Sequence, residues 1–364
     1  MSARPDTDDY RALFLAEVPL LDTRAPAEFG RGAFPSARNL PLMTDDERAA
    51  VGTCYKQRGQ AAAIALGHEL VAGAVRAERL AAWSTFARAH PEGYLYCFRG
   101  GLRSEIVQRW LAEAGIAYPR VTGGYKALRR FLIDSLPESI AALDIVLVSG
   151  RTGSGKTRLL PLLPRSVDLE GLAKHRGSTF GRLLEPQPTQ IDFENALAIA
   201  LLRHAQGGRR TVYLEDEGRN IGRRYLPPEL RELMAAAPRI ELEHPLSDRV
   251  EVVLEDYVID LGERFAAAAG DDGPAQHRER LQGDLARARK RLGGERYRAV
   301  SALMDAAFAA QARGEGLDGH RAWIARLLRE YYDPMYDYQA AQRDGPVLAR
   351  GRREELAAWA ARRG

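Results

Sequence analysis

Cysteine is almost missing: Cys54 and Cys97 are the only two among 364 residues. No Cys-x-x-Cys pair and no paired-histidine spacing accompanies them, which excludes a disulfide framework and a zinc-finger pattern. No ligand set for a metal is certain from sequence. Long apolar runs are absent too, since none approaches the ~18 residues that a membrane-spanning helix needs. The opening MSARPDTDDY carries three aspartates and no apolar core of signal-peptide length. No membrane partner is therefore expected, and the cytoplasm is the expected compartment, where a lone thiol stays reduced. Internal repeats and low-complexity linkers are lacking as well.

What is present reads as globular. Hydrophobic residues make up 45% and charged residues 28% of the chain. The length favours two domains of ordinary size over one. A net charge of +4, with Lys and Arg spread throughout, admits a polyanionic partner. Arg- and Ala-rich usage also follows from genomic base bias, so composition leaves nucleic-acid binding open.

The fold class is α/β. Short apolar strands are expected at Val18–Asp22, Tyr94–Cys97 and Ala117–Val121, with a helix over Ser104–Ala114. Between them, Asp45–His90 is Ala-rich, broken by Gly52, Gly59, Gly67 and Gly73, and reads as an irregular helical segment. A boundary is placed near Leu136-Pro137. A second α/β unit opens with Ile145–Ser149 and continues with strands at Ser166–Leu169, Thr211–Leu214 and Arg239–Leu242. From Leu246 onward the pattern is almost wholly helical. The expected division is 12–137, 138–245 and a helical region 246–364.

Two loops carry the chemistry. In Tyr94-Leu-Tyr-Cys97-Phe98-Arg99-Gly100-Gly101-Leu102-Arg103-Ser104 an apolar strand runs straight into a cysteine, followed by two glycines and a helix start. Such a turn places the sulfur at a helix N-terminus, and Arg99 and Arg103 add positive charge, all of which favours the thiolate. The same cradle would hold an anion delivered to Cys97. Cys54 has no comparable surroundings and reads as structural. The Cys-x5-Arg spacing also suits a phosphatase, so this loop alone leaves sulfur, selenium and phosphate chemistry open.

The second loop, Gly150-Arg-Thr152-Gly153-Ser154-Gly155-Lys156-Thr157, fits Gly-x4-Gly-Lys-Thr between an apolar strand and a helix. Its backbone can wrap a phosphate, Lys156 supplies a point charge, and Thr157 can reach a magnesium ion. Glu215 and Asp216 end the strand Thr211–Leu214 and read as an acidic partner to that loop. Asp168, His175 and Arg176 follow the intervening strand and suit the same cleft. Arg219 and Arg223 read as phosphate or RNA clamps, or as a solvated face.

The first loop and its flanks resemble the rhodanese fold. Asp22, Glu28 and Phe29 match an aspartate-to-glutamate signature, Gly32 to Pro41 a glycine-proline-asparagine turn, and Thr122-Gly123-Gly124-Tyr125 the closing glycine pair. The likeness runs from about Leu13 to Leu136. The loop is one residue longer than that of simple sulfurtransferases. Taken with Val51-Gly-Thr-Cys-Tyr-Lys-Gln, the Gly150–Thr157 loop, Asp168–Gly177, Glu215–Gly222 and Tyr331–Tyr338, the chain is similar to the tRNA 2-selenouridine synthase family, which joins the two domain types. That family shows Cys-x-Arg-Gly-Gly-x-Arg-Ser, so its own loop has the longer spacing.

The resemblance implies an enzyme that replaces the sulfur of a wobble 2-thiouridine in tRNA by selenium from selenophosphate. A geranyl group from geranyl diphosphate is first attached to that sulfur. Cys97 would carry or guide the selenium, and the diphosphate would suit the second loop, although a nucleotide also fits. No tightly bound cofactor is implied; the co-substrates are selenophosphate and geranyl diphosphate, with Mg2+ admitted. The basic stretch His277–Arg298, with Arg287, Arg289, Lys290 and Arg291, suits tRNA docking or a solvated face. Two other classes remain: a rhodanese-fold cysteine phosphatase or sulfurtransferase fused to an NTPase, and a non-catalytic tRNA-binding module switched by a nucleotide.

Overall fold

A computed structural model describes residues 4–207 and 210–363. Two compact units emerge. One joins the residues up to Ser139 with Thr189–Gln206, and the other joins Ile140–Pro188 with the residues from Gly207 on.

The first unit is built on a parallel sheet ordered Ala37–Asn39, Leu20–Asp22, Tyr94–Tyr96. Its middle strand is buried on both faces, as a parallel strand covered by helices must be. Neighbouring residues alternate between two cores. Leu20 and Tyr96 face Phe14, Phe34, Leu128 and Leu132, while Leu21 and Leu95 face Trp83, Val107, Trp110 and Leu111.

Helices Asp45–Leu70 and Gly73–Ala89 fill the long Ala-rich stretch, and Gly59, at φ 82°, breaks the first of them. The strand expected at Ala117–Val121 reduces to single bridges, Leu95 to Arg120 and Thr7 to Val121. Pro119 has no N–H to donate to a ladder. The helix Gly124–Ala141 runs through Pro137 instead of stopping before it.

A helix from beyond the glycine loop completes this unit. Gln190–His204 starts on a reciprocal cap between Thr189 and Asp192. Its Ala198, Ile199 and Leu202 join the core around Leu13 and Phe14. Fully buried Asn195 donates to the Ala33 carbonyl at 2.7 Å and accepts from Arg129 at 2.8 Å.

The second unit carries a five-stranded parallel sheet in the order Val347–Gly351, Arg239–Leu242, Leu143–Ser149, Arg210–Glu215, Ser166–Val167. The strand after the first crossover stops at Val167 because Asp168 caps the helix Leu169–Ala173. Helices fill 246–340, but the region is not wholly helical. Val347–Gly351 adds the edge strand beside Arg239–Leu242, after the break Gly345-Pro346. In helix Gly273–Leu292, Leu281, Leu285, Ala288 and Leu292 form one buried stripe, which seats the basic segment on the helical core. Two wide, π-type turns interrupt the helices, at Glu255–Ile259 and Leu328–Tyr332.

Candidate active sites

The strand Tyr94–Tyr96 delivers Cys97 to the first turn of helix Leu102–Glu113, where Gly101 is the cap. The thiol is 3% exposed and lies 3.3 Å from the Ser104 hydroxyl and 3.7 Å from the Gly101 carbonyl oxygen. Ser104 itself sits 2.8 Å from that carbonyl. The sulfur therefore faces a hydroxyl and a carbonyl, which suits a thiol that donates its proton. Arg103 is turned to Glu28 at 2.6 Å, with Arg48 on the same carboxylate at 3.0 Å. Burial would raise the Glu28 carboxyl, but these cations hold it below its usual value. Arg99 is exposed.

The closing glycine pair is fixed to this loop. Tyr125 N–H donates to the Cys97 carbonyl at 2.9 Å and Lys126 N–H to that of Phe98 at 3.0 Å. Gly124 has φ 59°, and a Cβ there would sit 2.3 Å from the Cys97 oxygen and 2.5 Å from the Gly100 nitrogen. Behind the loop, Asp22 pairs with fully buried Arg24, whose guanidinium lies 3.8 Å from the Tyr125 ring centre. Asp22 holds Arg24 in place, and Glu28 holds Arg103 and Arg48.

In the second unit, Gly150–Thr157 leaves the strand Leu143–Ser149 and enters the helix Lys156–Leu159. It borders a cavity of about 800 Å³ lined by Gly150, Thr152, Gly153, Gly155, Lys156 and Thr157. Lys156 Nζ lies 3.1 Å from the Gly150 carbonyl. The Thr157 hydroxyl lies 3.0 Å from a Glu215 oxygen and 3.2 Å from a Glu170 oxygen. The Glu170 N–H donates to Glu215 at 2.9 Å. Burial pushes the Glu170 and Glu215 carboxyls up to about 8, and mutual repulsion adds to it. Glu217 is pushed up to about 7, again chiefly by burial, against the pull of Lys156. Near neutrality this cluster holds protons that a bound cation would displace.

Relatives match this chain over nearly its whole length. A protein from Marinobacter nauticus named tRNA 2-selenouridine synthase is 54% identical over 363 residues, covering 99% of this chain and 98% of its own. Proteins of the same name from Cupriavidus necator and Azotobacter vinelandii are each 55% identical, covering 98% of this chain and 97% of their own. The family model for the tRNA 2-selenouridine synthase AAA domain matches residues 143–364. The chain belongs to the tRNA 2-selenouridine synthase family. It is a tRNA-modifying enzyme, a selenium transferase. Among solved structures, the N-terminal domain of a protein from Clostridium difficile 630 is 31% identical over 36% of this chain and 99% of its own, with a TM-score of 0.31. At that score the shared geometry is too slight to bear on fold.

In this member of the synthase family, the expected residues separate into those at the cavity and those elsewhere. Arg176 and Asp216 line the cavity, where Arg176 pairs with Asp256 at 2.6 Å and Asp216 with Arg343. Burial raises the Asp216 carboxyl and Arg343 opposes the rise. Asp168 instead caps a helix through the Gly171 N–H at 2.6 Å. His175 is buried and not a lining residue; burial brings it down to about 4, so it is neutral and unsuited to hold an anion. Arg219 and Arg223 stand exposed beside the hairpin strands Asn220–Ile221 and Arg224–Tyr225. Ser154 is buried without a hydrogen-bond partner. In the basic helix, Arg280 and Arg287 pair with buried Asp284, which Arg182 also reaches. Cys54 is buried.

Glu170 and Glu217 lie in the segments Asp168–Gly177 and Glu215–Gly222 that the sequence singled out, whereas sequence reasoning missed Arg249, Asp333 and Asp337 as neighbours of the loop. Arg249 donates to the Thr152 carbonyl at 3.2 Å and pairs with Asp333, while Arg151 in the loop pairs with Asp337 at 2.8 Å. The only sequence signal was acidic spacing within the Tyr331–Tyr338 stretch. Among the described residues no three His, Cys, Asp or Glu side chains are arranged as a metal site, and no helix is long and apolar enough to cross a membrane.

Proposed function

We propose that the enzyme acts on the wobble 2-thiouridine of tRNA in two steps. In the first, the thiouridine sulfur attacks the first carbon of geranyl diphosphate, the carbon–oxygen bond breaks and diphosphate leaves. In the second, the selenium of selenophosphate attacks C2, the C2–sulfur bond breaks with loss of the geranyl thiolate, and water cleaves the phosphorus–selenium bond to release phosphate. Cys97, in a rhodanese-like first unit, guides the selenophosphate to that carbon. The Gly150–Thr157 loop grips the diphosphate.

The observation that carries this reading is the full-length identity to named synthases together with two separate sites, a seated thiol and a glycine loop on an 800 Å³ cavity. Arg103 is engaged by Glu28, which weakens a phosphatase reading that needs it free to brace a phosphoryl group. Magnesium fits the second site, because Mg2+ is usually bound by one or two carboxylates plus substrate phosphates rather than by a protein cage. Thr157 and Glu215 would hold it, and it would neutralise charge on the leaving diphosphate. Exposed basic residues, Arg289 and Lys290 among them, supply phosphate contacts to tRNA.

Nucleoside mass spectrometry after incubation with 2-thiouridine tRNA and each donor tests the assignment. Cys97→Ala should block selenation and leave geranyl attachment largely intact, whereas Lys156→Ala should damage geranyl attachment. Selenated uridine formed by Cys97→Ala at the unaltered rate would refute the role of the thiol.

A further inference from the structure

The cavity at the glycine loop is lined by two kinds of group. Lys156, Thr157 and Arg176 are polar, as are Asp256 and Arg343 from the helical region. Val252, Val253, Tyr257, Tyr332 and Met335, all contributed by the helical region, are apolar or aromatic. Val253 and Tyr332 belong to that region's hydrophobic core, and Tyr257 and Met335 pack against it. Part of the cavity wall is therefore the edge of a hydrophobic core.

The glycine loop and the apolar part of the wall are in direct contact. A Cβ placed on Gly153, at φ 79°, would lie 2.9 Å from Val253 Cγ2 and 2.8 Å from the Arg249 carbonyl. Helix Leu246–Leu254 therefore packs on the loop with no room for a side chain between them. The wall is also fixed to the loop by charge. Arg249, on the helix that carries Val252 and Val253, binds both the Thr152 carbonyl and Asp333, on the helix that carries Met335. Tyr257 and Tyr332 sit on the two π-type turns, a distortion often found at functional sites. The Tyr257 hydroxyl is already bonded to Ser178 at 3.0 Å, and the valines and Met335 offer no strong donor or acceptor to a base edge.

We propose that this wall seats the hydrocarbon chain of a prenyl diphosphate and sets the chain length the enzyme accepts, with Val252 and Met335 as specificity-determining residues. The proposal rests on the reading of the glycine loop as the diphosphate site and adds where the chain lies. A ligand with an anionic head and an apolar body matches both kinds of group in this one cavity.

The test measures geranyl diphosphate, dimethylallyl diphosphate and inorganic diphosphate on the full chain, for the unaltered protein, Val252→Asn, Met335→Gln and Lys156→Ala. The expected result is that each wall variant weakens geranyl diphosphate about tenfold, the equivalent of about 1.4 kcal/mol. Inorganic diphosphate should change less than about twofold, so the preference for geranyl over the shorter chain collapses. Equal weakening of inorganic diphosphate, or an unchanged chain-length preference, overturns the wall. ATP that displaces geranyl diphosphate and is weakened in the same way by both wall variants also overturns it, in favour of a nucleotide site. A Lys156→Ala protein that binds all three ligands normally overturns instead the underlying reading of the loop. Circular dichroism of each variant separates loss of binding from loss of folding.

Discussion

Arg249 and Asp333 face each other through two parallel hydrogen bonds of 2.7 Å, although they stand 84 positions apart in the chain. The Arg249 side chain is 3% exposed and that of Asp333 14%. This pair brings the first and last helices of the 246–340 region onto the glycine loop.

Asp333→Asn should destabilise the second unit by about 3 kcal/mol, because it strands a buried guanidinium without its counter-charge. Asp337→Asn breaks the exposed pair with Arg151, whose side chains are 46% and 55% exposed, and should cost under about 1 kcal/mol. Urea unfolding midpoints would check the contrast, and equal effects would refute it.

The carboxylate cluster sets a pH dependence with a definite sign. Glu170 and Glu215 are pushed up to about 8 in the folded chain, against an ordinary value of 4.5. Between those two values the folded state holds protons that the unfolded chain has released, so stability falls as pH rises from about 4.5 to about 8 and levels off above. Glu170→Gln removes one charge from the cluster. Its melting temperature should lie above that of the unaltered protein at pH 8 and approach it at pH 5.

Binding of magnesium with diphosphate should release protons near pH 7, for the same electrostatic reason. Calorimetry in two buffers of different ionisation enthalpy would detect it. Identical heats in both buffers would count against a cation near Thr157 and Glu215.

At the thiol site, two glycines predict opposite outcomes. Gly124→Ala drives a methyl against the Cys97 carbonyl and the Gly100 nitrogen at positive φ, and should cost at least about 2 kcal/mol and abolish selenation. Gly101→Ala meets nothing within 4 Å and has φ −101°, so it should fold normally. Melting curves and selenation rates of the two proteins would decide.

A fragment ending at Ser139 lacks Ala198, Ile199 and Leu202 from the core around Leu13 and Phe14. It should be protease-sensitive and poorly folded. In the full chain, Asn195→Leu leaves the Ala33 carbonyl without its donor and one Arg129 N–H without its acceptor, while Glu194 still pairs with Arg129, and should cost about 1–3 kcal/mol. A sharply melting fragment would show that helix Gln190–His204 is dispensable.

Local chemistry decided what could be read directly. A strand ending in Cys97 before two glycines, and Gly-x4-Gly-Lys-Thr between strand and helix, each state their backbone geometry within about ten residues, and the structure has strand, turn and helix in that order. Arg239–Leu242 is likewise found as the short strand expected. The strand Val347–Gly351 escaped because an edge strand exposed on alternate residues carries little apolar signal after so many helices.

Only the tertiary structure could decide the partners of each charge. Nothing near Gln190 says that its helix packs against Leu13 and Phe14 near the start of the chain, since an amphipathic helix specifies an apolar face and not its neighbour. Arg103, expected beside the sulfur, is held by Glu28, and His175, expected to hold an anion, is buried and neutral. The sequence by itself determined the two reactive loops, because turn geometry is local. Which cations, carboxylates and apolar walls surround them depends on contacts between residues far apart in the chain, such as Arg249 with Asp333, and only the folded protein contains those.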